Sequence, residues 1–370
     1  MPSIVFYISG HGFGHAVRQI AIIDALHALE PEIPIFVRTS APEWLFRRTT
    51  NAGFSLLPGV TDTGVVQIDS LHPDEAGTVA RALAFQRELP ERVEGEVATL
   101  RRCGAGLVIA DAPPLACAAA DAAGIPSVVC ANFTWDWIYQ AYAEQPGASR
   151  LIDSVGESYA LAERGWRMPL HGGFETLRHV TDIPFVARRS RRGLAPHAIR
   201  ATLGLPVERR LALISFGGYG LRRLPLDQVD CLADWDLVLS ATSDEAITLP
   251  PGVHNVRDHS IYGQGLRYED LIRAVDVVVT KPGYGIISDC LANGTAMLYT
   301  PRGRFPEYDV MVREMPKFLR SRKLELEDFE RGRWKEALDE LAGAPAPPEQ
   351  PATDGADVAA RMISRRLSAL

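Results

Sequence analysis

The 370-residue chain predicts an α/β architecture of two doubly wound domains, each a parallel sheet between helices, with the carboxyl ends of both sheets facing a cleft. Three observations predict it. Short apolar runs alternate with amphipathic helical stretches through the first half. The alternation restarts after a basic, polar segment near the middle. In each half a glycine-rich loop follows an apolar run and opens a helix. The length is also too great for one ordinary core.

Residues 4–9 form a short apolar run that breaks into glycine, the pattern of a strand buried on both faces. Residues 16–29 place Ile20, Ile23, Ala25 and Leu26 on one helical face. Residues 35–39 are the next strand. Two more, 107–110 and 127–131, are joined by the alanine-rich helix 115–123, with Gly124 as its stop. Strand, helix and strand in succession imply right-handed crossovers. The first domain is placed at 1–183 and a linker at 184–200, where Arg188, Arg189, Arg191 and Arg192 read as a solvated basic cluster. The second domain, 201–343, takes strands at 211–215, 237–241, 275–280 and 296–300, with a helix at 286–293 closed by Asn293-Gly294. Residues 344–351 are a proline-rich connector, and a last amphipathic helix runs from 357 to 370.

Hydrophobic residues make up 46% of the chain and charged residues 23%, which excludes general disorder. The formal net charge of −7 argues against non-specific binding to nucleic acid or anionic membranes. Cys103, Cys117, Cys130, Cys231 and Cys290 include no C-x-x-C pair and read as reduced core residues. No uncharged apolar run reaches the roughly 18 residues of a membrane helix. Residues 1–9 lack the basic start of a signal peptide. A cytoplasmic location without stable membrane insertion is therefore expected.

Gly10-His11-Gly12-Phe13-Gly14-His15 lies between the first strand and the first helix. It fails as a dinucleotide fingerprint, because His15 stands where G-x-G-x-x-G needs glycine and Thr39 and Ser40 close the second strand where an acid is needed. The phosphate-loop pattern fails for want of its lysine. What remains is a tight loop whose glycines, Gly14 among them, let another molecule approach the backbone. It delivers His15 to the first turn of a helix, whose positive end keeps an imidazole neutral and able to accept a proton. Such a base needs a partner to hold its tautomer. Asp111, just after the strand 107–110, is the candidate. The alternative makes His15 a helix-start residue and Asp111 the N-cap of the helix from Pro113 onward.

Thr280-Lys281-Pro282-Gly283-Tyr284-Gly285 also follows a strand and opens a helix. Free amides and the positive dipole end make an anion site there, and Lys281 adds a full charge. The combination suits a diphosphate and its departure without a metal. Asp289 follows one turn later on the face of Gly285, placed to accept ribose hydroxyls. Gly217-Gly218, after the strand 211–215, is a second close-approach loop. Asp234-Trp235-Asp236 matches a D-x-D metal pattern but precedes the strand 237–241 instead of ending one, and reads as that strand's polar lead-in.

With these residues in view, the sequence resembles GT-B glycosyltransferases, whose two Rossmann-like domains face a cleft, over nearly its whole length. In many plant members a histidine of a G-H pair is the catalytic base and a strand-end aspartate orients it; His15 and Asp111 match those places. The plant donor signature H-C-G-W-N-S-x-x-E compares with Lys281-Pro282-Gly283-Tyr284-Gly285-Ile286-Ile287-Ser288-Asp289. The glycine and aromatic residue match, Asp289 stands for the ribose-binding glutamate, and Lys281 replaces the phosphate-binding histidine. Glu307-Tyr308 resembles the acid–glutamine pair that holds the donor sugar, with Tyr308 departing from the glutamine. A narrower similarity, to the glycosyltransferase-like amino-terminal region of plant L-arabinokinases and free-standing bacterial relatives, rests on GHGFGHAVR at 10–18, NFTWDWIY at 132–139, SFGG at 215–218 and KPGYGIISD at 281–289. No kinase-type phosphate loop follows, so kinase activity is not implied.

The resemblance implies transfer of a sugar from a nucleoside-diphosphate sugar to the hydroxyl of a small-molecule or glycan acceptor, with inversion. No metal or other cofactor is expected. Asn132, Trp135 and Asp136 follow the strand 127–131 and are expected on the acceptor side; Trp135 and Trp137 read equally as core. Two other readings use the same architecture: an epimerase or hydrolase acting on the nucleotide-sugar alone, and a non-catalytic nucleotide-sugar sensor.

Overall fold

A computed structural model describes every residue except 1, 51, 69–71, 217–223, 225, 227, 242–248, 302 and 370. The chain divides into two compact units. The first comprises residues 1–186, 304–310 and 352–370, and the second 187–303 and 311–351.

The first unit is built on strands β1 (Ser3–Ile8), β2 (Ile35–Thr39), β3 (Ser55–Pro58), β4 (Ala105–Asp111), β5 (Ser127–Phe133), β6 (Arg164–Gly172) and β7 (Val180–Asp182). They lie in the order β3-β2-β1-β4-β5-β6-β7, with every pairing parallel. β1 is buried along its whole length because helices cover both faces of a parallel sheet. The helix Phe13–Leu29 turns Ala16, Ile20, Ile23 and Leu26 onto this sheet. The helix Gly355–Ser368 completes the same core with Ala359, Ala360 and Ile363. Its start is tied to the chain at 184–186: Val186 bridges Asp354, and a Cβ on Gly355 would lie 2.1 Å from the Pro184 carbonyl oxygen. Only glycine fits that approach.

The second unit carries β8 (Arg210–Ser215), β9 (Trp235–Ala241), β10 (Val253–Arg257), β11 (Val277–Thr280), β12 (Ala296–Tyr299) and β13 (Ser321–Lys323). Their order is β10-β9-β8-β11-β12-β13, again all parallel. Ala212, Ile214, Leu237, Val277, Val279 and Leu298 form its core with Trp235, Phe329 and Trp334. The Phe329 and Trp334 rings stack at 5.2 Å. Asp236 lies within β9, its carboxylate engaged by Arg209 Nε and His254 Nε2, each at 2.7 Å. Among the described residues no helix is long and apolar enough to cross a membrane.

Because Ile363 is fully buried in the first unit's core, Ile363→Ala should cost about 2–5 kcal/mol of that unit's stability. Urea unfolding followed by Trp fluorescence measures it, and a variant as stable as the wild type would show that the last helix does not complete the core.

Candidate functional site

In each sheet the strand order reverses at one place, between β1 and β4 in the first unit and between β8 and β11 in the second. Ligands of open α/β sheets bind outside the carboxyl ends of the strands at such points. Two of these strands, β1 and β11, are left through the glycine-rich loops of the sequence at 10–14 and 281–285.

In the first unit Ile8 pairs with Asp111, so the ends of β1 and β4 stand side by side. The chain leaves β1 through Gly12, whose φ of 78° is the left-handed region that favours glycine. Among the described residues no atom lies within 4 Å of where a Cβ would stand on Gly12 or Gly14. His15 is the third residue of the helix, and its Nδ1 lies 3.2 Å from Asp111 Oδ1. Asp111 ends β4 and caps nothing: the N-cap of the helix Pro114–Ala123 is Pro113. Ala112 follows in the left-handed region at φ 71°, with its carbonyl accepting from the Tyr159 hydroxyl. Backbone strain of this kind collects at functional sites.

Arg18, one turn after His15, was not singled out from the sequence, yet it holds the group together. Its Nε donates to Asp111 Oδ2 at 3.2 Å, its Nη1 to Asn132 Oδ1 at 2.8 Å, and its Nη2 reaches both Asp111 Oδ1 and His15 Nδ1, the latter at 2.7 Å. Arg18 is 4% exposed and Asp111 fully buried. Burial pushes the Asp111 carboxyl up, but the Arg18 charge and His15 outweigh it and hold the carboxyl below its usual range. Asp62 is a second missed carboxylate. It lies beyond β3, accepts from Ser9 Oγ at 3.0 Å and from Trp135 Nε1 at 2.9 Å, and is raised by burial. Two carboxyls driven in opposite directions around one histidine form a pattern of acid–base sites.

The expected acceptor residues serve this scaffold. Asn132 is spent on Arg18 and, through Nδ2, on the Pro169 carbonyl at 2.7 Å. Trp135 is 1% exposed, stacked on Tyr139 and bonded to Asp62, and so takes the core side of its two readings. Asp136 is buried, which raises its carboxyl, and its Oδ1 has no partner among the described residues.

In the second unit Lys281-Pro282 leaves β11, and Gly283 is the N-cap of the helix Tyr284–Asn293. Among the described residues no side chain caps this helix. Its first internal bond runs from Ile287 N to Gly283 O, so the amides of Tyr284, Gly285 and Ile286 precede the ladder. Where a Cβ would stand on Gly283, Ile286 Cγ2 alone among the described residues comes as close as 4.0 Å. Lys281 is partly buried and Tyr284 buried. Asp289 differs from expectation. It is 2% exposed, and both its oxygens are taken by Arg188: Oδ1 by the backbone N–H at 2.9 Å, Oδ2 by Nε at 3.1 Å. The carboxylate expected to receive ribose hydroxyls thus faces a guanidinium. Arg188 is no solvated linker residue either, since Glu269 lies 3.6 Å away and the Tyr268 ring lies beneath it. Gly217 and Gly218 lie outside the described residues. Glu307 is buried and Tyr308 half-buried at the start of the helix Pro306–Glu314, in the segment 304–310 that belongs to the first unit.

No protein-family model matches the chain. It is 28% identical over 366 residues to an L-arabinokinase of Arabidopsis thaliana, covering 97% of this chain and 34% of that protein. The chain therefore spans about a third of the length of that curated relative. It is 26% identical over 315 residues to the UDP-N-acetylglucosamine–N-acetylmuramyl-(pentapeptide) pyrophosphoryl-undecaprenol N-acetylglucosamine transferase of Clavibacter michiganensis, covering 80% of this chain and 76% of that one. The structure of the kitacinnamycin glycotransferase superposes with a TM-score of 0.62 at 20% identity, covering 100% of this chain and 98% of that one. The chain has the GT-B glycosyltransferase fold. Within that fold its similarity in sequence runs to the L-arabinokinase and to bacterial and archaeal glycosyltransferases.

Asp111→Asn leaves the buried Arg18 without its counter-charge and should cost about 3–5 kcal/mol of stability at neutral pH. Because folding lowers the Asp111 pKa, its contribution is complete above the unfolded value near 4 and is lost as pH falls through the folded one. Denaturant titrations from pH 7 into acid should show that loss in the wild type and not in Asp111→Asn; parallel curves would mean the pair contributes nothing.

Proposed function

We propose that the protein is a nucleotide-sugar-dependent glycosyltransferase that transfers with inversion and without a metal. The observation that carries this reading is the buried His15–Asp111 contact at the switch point of the first sheet. The first unit holds the acceptor. His15 takes the proton of an acceptor hydroxyl, and Asp111 stabilises the charge the ring gains. The hydroxyl oxygen forms a bond to the anomeric carbon as the bond to the diphosphate breaks on the opposite face, so one displacement inverts the centre. The electron pair leaves with the diphosphate toward Lys281 and the amides at Gly283–Gly285, which offset the developing charge. Similarity to a UDP-N-acetylglucosamine transferase makes uridine diphosphate sugars the first donors to test.

Lys281→Ala should weaken a nucleoside diphosphate far more than the free nucleoside in calorimetric titration, since the lysine is assigned to phosphate. Equal losses for both would remove that assignment. Saturating chelator should leave transfer unchanged, and strict dependence on added magnesium or manganese would overturn the metal-independent mechanism.

His15→Ala should reduce transfer by about 10²- to 10⁴-fold with little change in donor affinity, because the base acts in the transition state. Product analysis with donor and acceptor measures it. Undiminished transfer in the variant would sink the mechanism, and epimerised or hydrolysed donor in the absence of acceptor would replace transfer with chemistry on the nucleotide-sugar itself.

A further inference from the structure

The hydrogens around His15 can be counted. Arg18 Nη2 carries two, and it has two neighbours that can accept: Asp111 Oδ1 and, at 2.7 Å, His15 Nδ1. Arg18 Nε and Nη1 are already committed to Asp111 Oδ2 and Asn132 Oδ1. A guanidinium has no lone pair to offer, so a proton on His15 Nδ1 would set two donors against each other at 2.7 Å in a buried site. The arrangement in which both Nη2 hydrogens find an acceptor has a bare Nδ1 facing Arg18 and the ring proton on Nε2. The Nδ1–Asp111 separation of 3.2 Å is then the looser contact, with both groups held by the same Nη2. Among the described residues, the other neighbours of His15 supply no competing acceptor for Nδ1: Phe133 meets the ring edge to face, with centroids 5.5 Å apart, and Asp62 accepts from Ser9 and Trp135.

We infer that Arg18 is a positioning residue that decides which nitrogen of His15 holds the proton. With Nη2 seated on Nδ1, the ring offers an N–H at Nε2 and has no free lone pair, so it cannot take a proton. The base-competent form, with Nδ1–H donating to Asp111 and a lone pair on Nε2, arises when Nη2 gives up Nδ1 and keeps its bond to Asp111. Arg18 thereby holds the proton acceptor in its inactive tautomer. Asn132, bonded to Nη1 and fixed in turn by the Pro169 carbonyl, sets where the guanidinium rests. The tautomer assignment stands on the bonding alone; its meaning for catalysis rests on the proposed glycosyltransferase reading.

The test is nitrogen NMR of the full chain labelled in its histidine side chains, at alkaline pH where imidazole is neutral. The His15 signals are assigned by their loss in His15→Gln. The wild type should show the Nε2–H tautomer in at least about tenfold excess, as expected of a charge-assisted bond to Nδ1. Arg18→Gln removes the bridging nitrogen and should turn the ring to the Nδ1–H form facing Asp111. A wild type that is mainly Nδ1–H, or an Arg18→Gln variant that keeps the Nε2–H form, overturns the inference. Should Arg18→Gln fail to fold, the wild-type spectrum decides alone. Sugar transfer is read separately: a wild type with no transfer from any donor but an Nε2–H ring would end the glycosyltransferase reading and leave the tautomer assignment standing.

Discussion

The buried ion pair of Arg18 and Asp111 is what the first unit's site depends on. A carboxylate without solvent at the end of a central strand would take up a proton and cease to act as a charge. Arg18 keeps it ionised, and the same guanidinium fixes Asn132 and meets His15. The price is that the negative charge set beside His15 is already matched before any ligand arrives. Asp62, buried and raised, is the other carboxyl near the ring and the one not neutralised by a guanidinium among its described contacts.

The second unit follows the same electrostatic rule with different residues. Asp289 is buried on the helix that opens the anion-binding loop and is made tolerable by Arg188, itself stabilised as a cation by Asp289 and Glu269 despite its burial. Asn293, on the same helix, receives the Ser190 amide on Oδ1 and donates to the Arg188 carbonyl. The segment expected to be a loose tether is therefore bound along the helix whose amino end carries the Gly283–Gly285 amides. Those amides are held in place by residues 188–190 as well as by the sheet.

Long apolar strands were legible because a strand buried on both faces must read as a continuous apolar run, which is why β1, β4, β5 and β8 stand out. β7 and β13 have three residues each and end in charged or polar side chains, so nothing separates them from loop. β6, RGWRMPLHG, breaks alternation with a proline and reads as irregular. His15 and Asp111 were legible because position after a strand implies position in space. Arg18 was within reach of the same logic, since three residues from His15 places it on the same face of the helix. Asp62 carried no such signal: its partners Ser9 and Trp135 lie 53 and 73 residues away. Arg188 was misleading, because a run of arginines looks solvated until a carboxylate 101 residues later is known to face it.

The first unit is assembled from both ends of the chain, and this has a topological meaning. The strand-rich portion ends at Val186, the closing helix begins at Gly355, and Val186 and Asp354 are bridged to each other. In chain order the second unit is thus an insertion into the sequence of the first, between Val186 and Ala352, interrupted by residues 304–310. Insertions of this kind are accommodated where two stretches of chain already lie together at a surface. Swapping the insertion for that of another protein with this fold would leave the Arg18–Asp111 group and the closing helix in one undisturbed scaffold, while residues 304–310 would have to be grafted back.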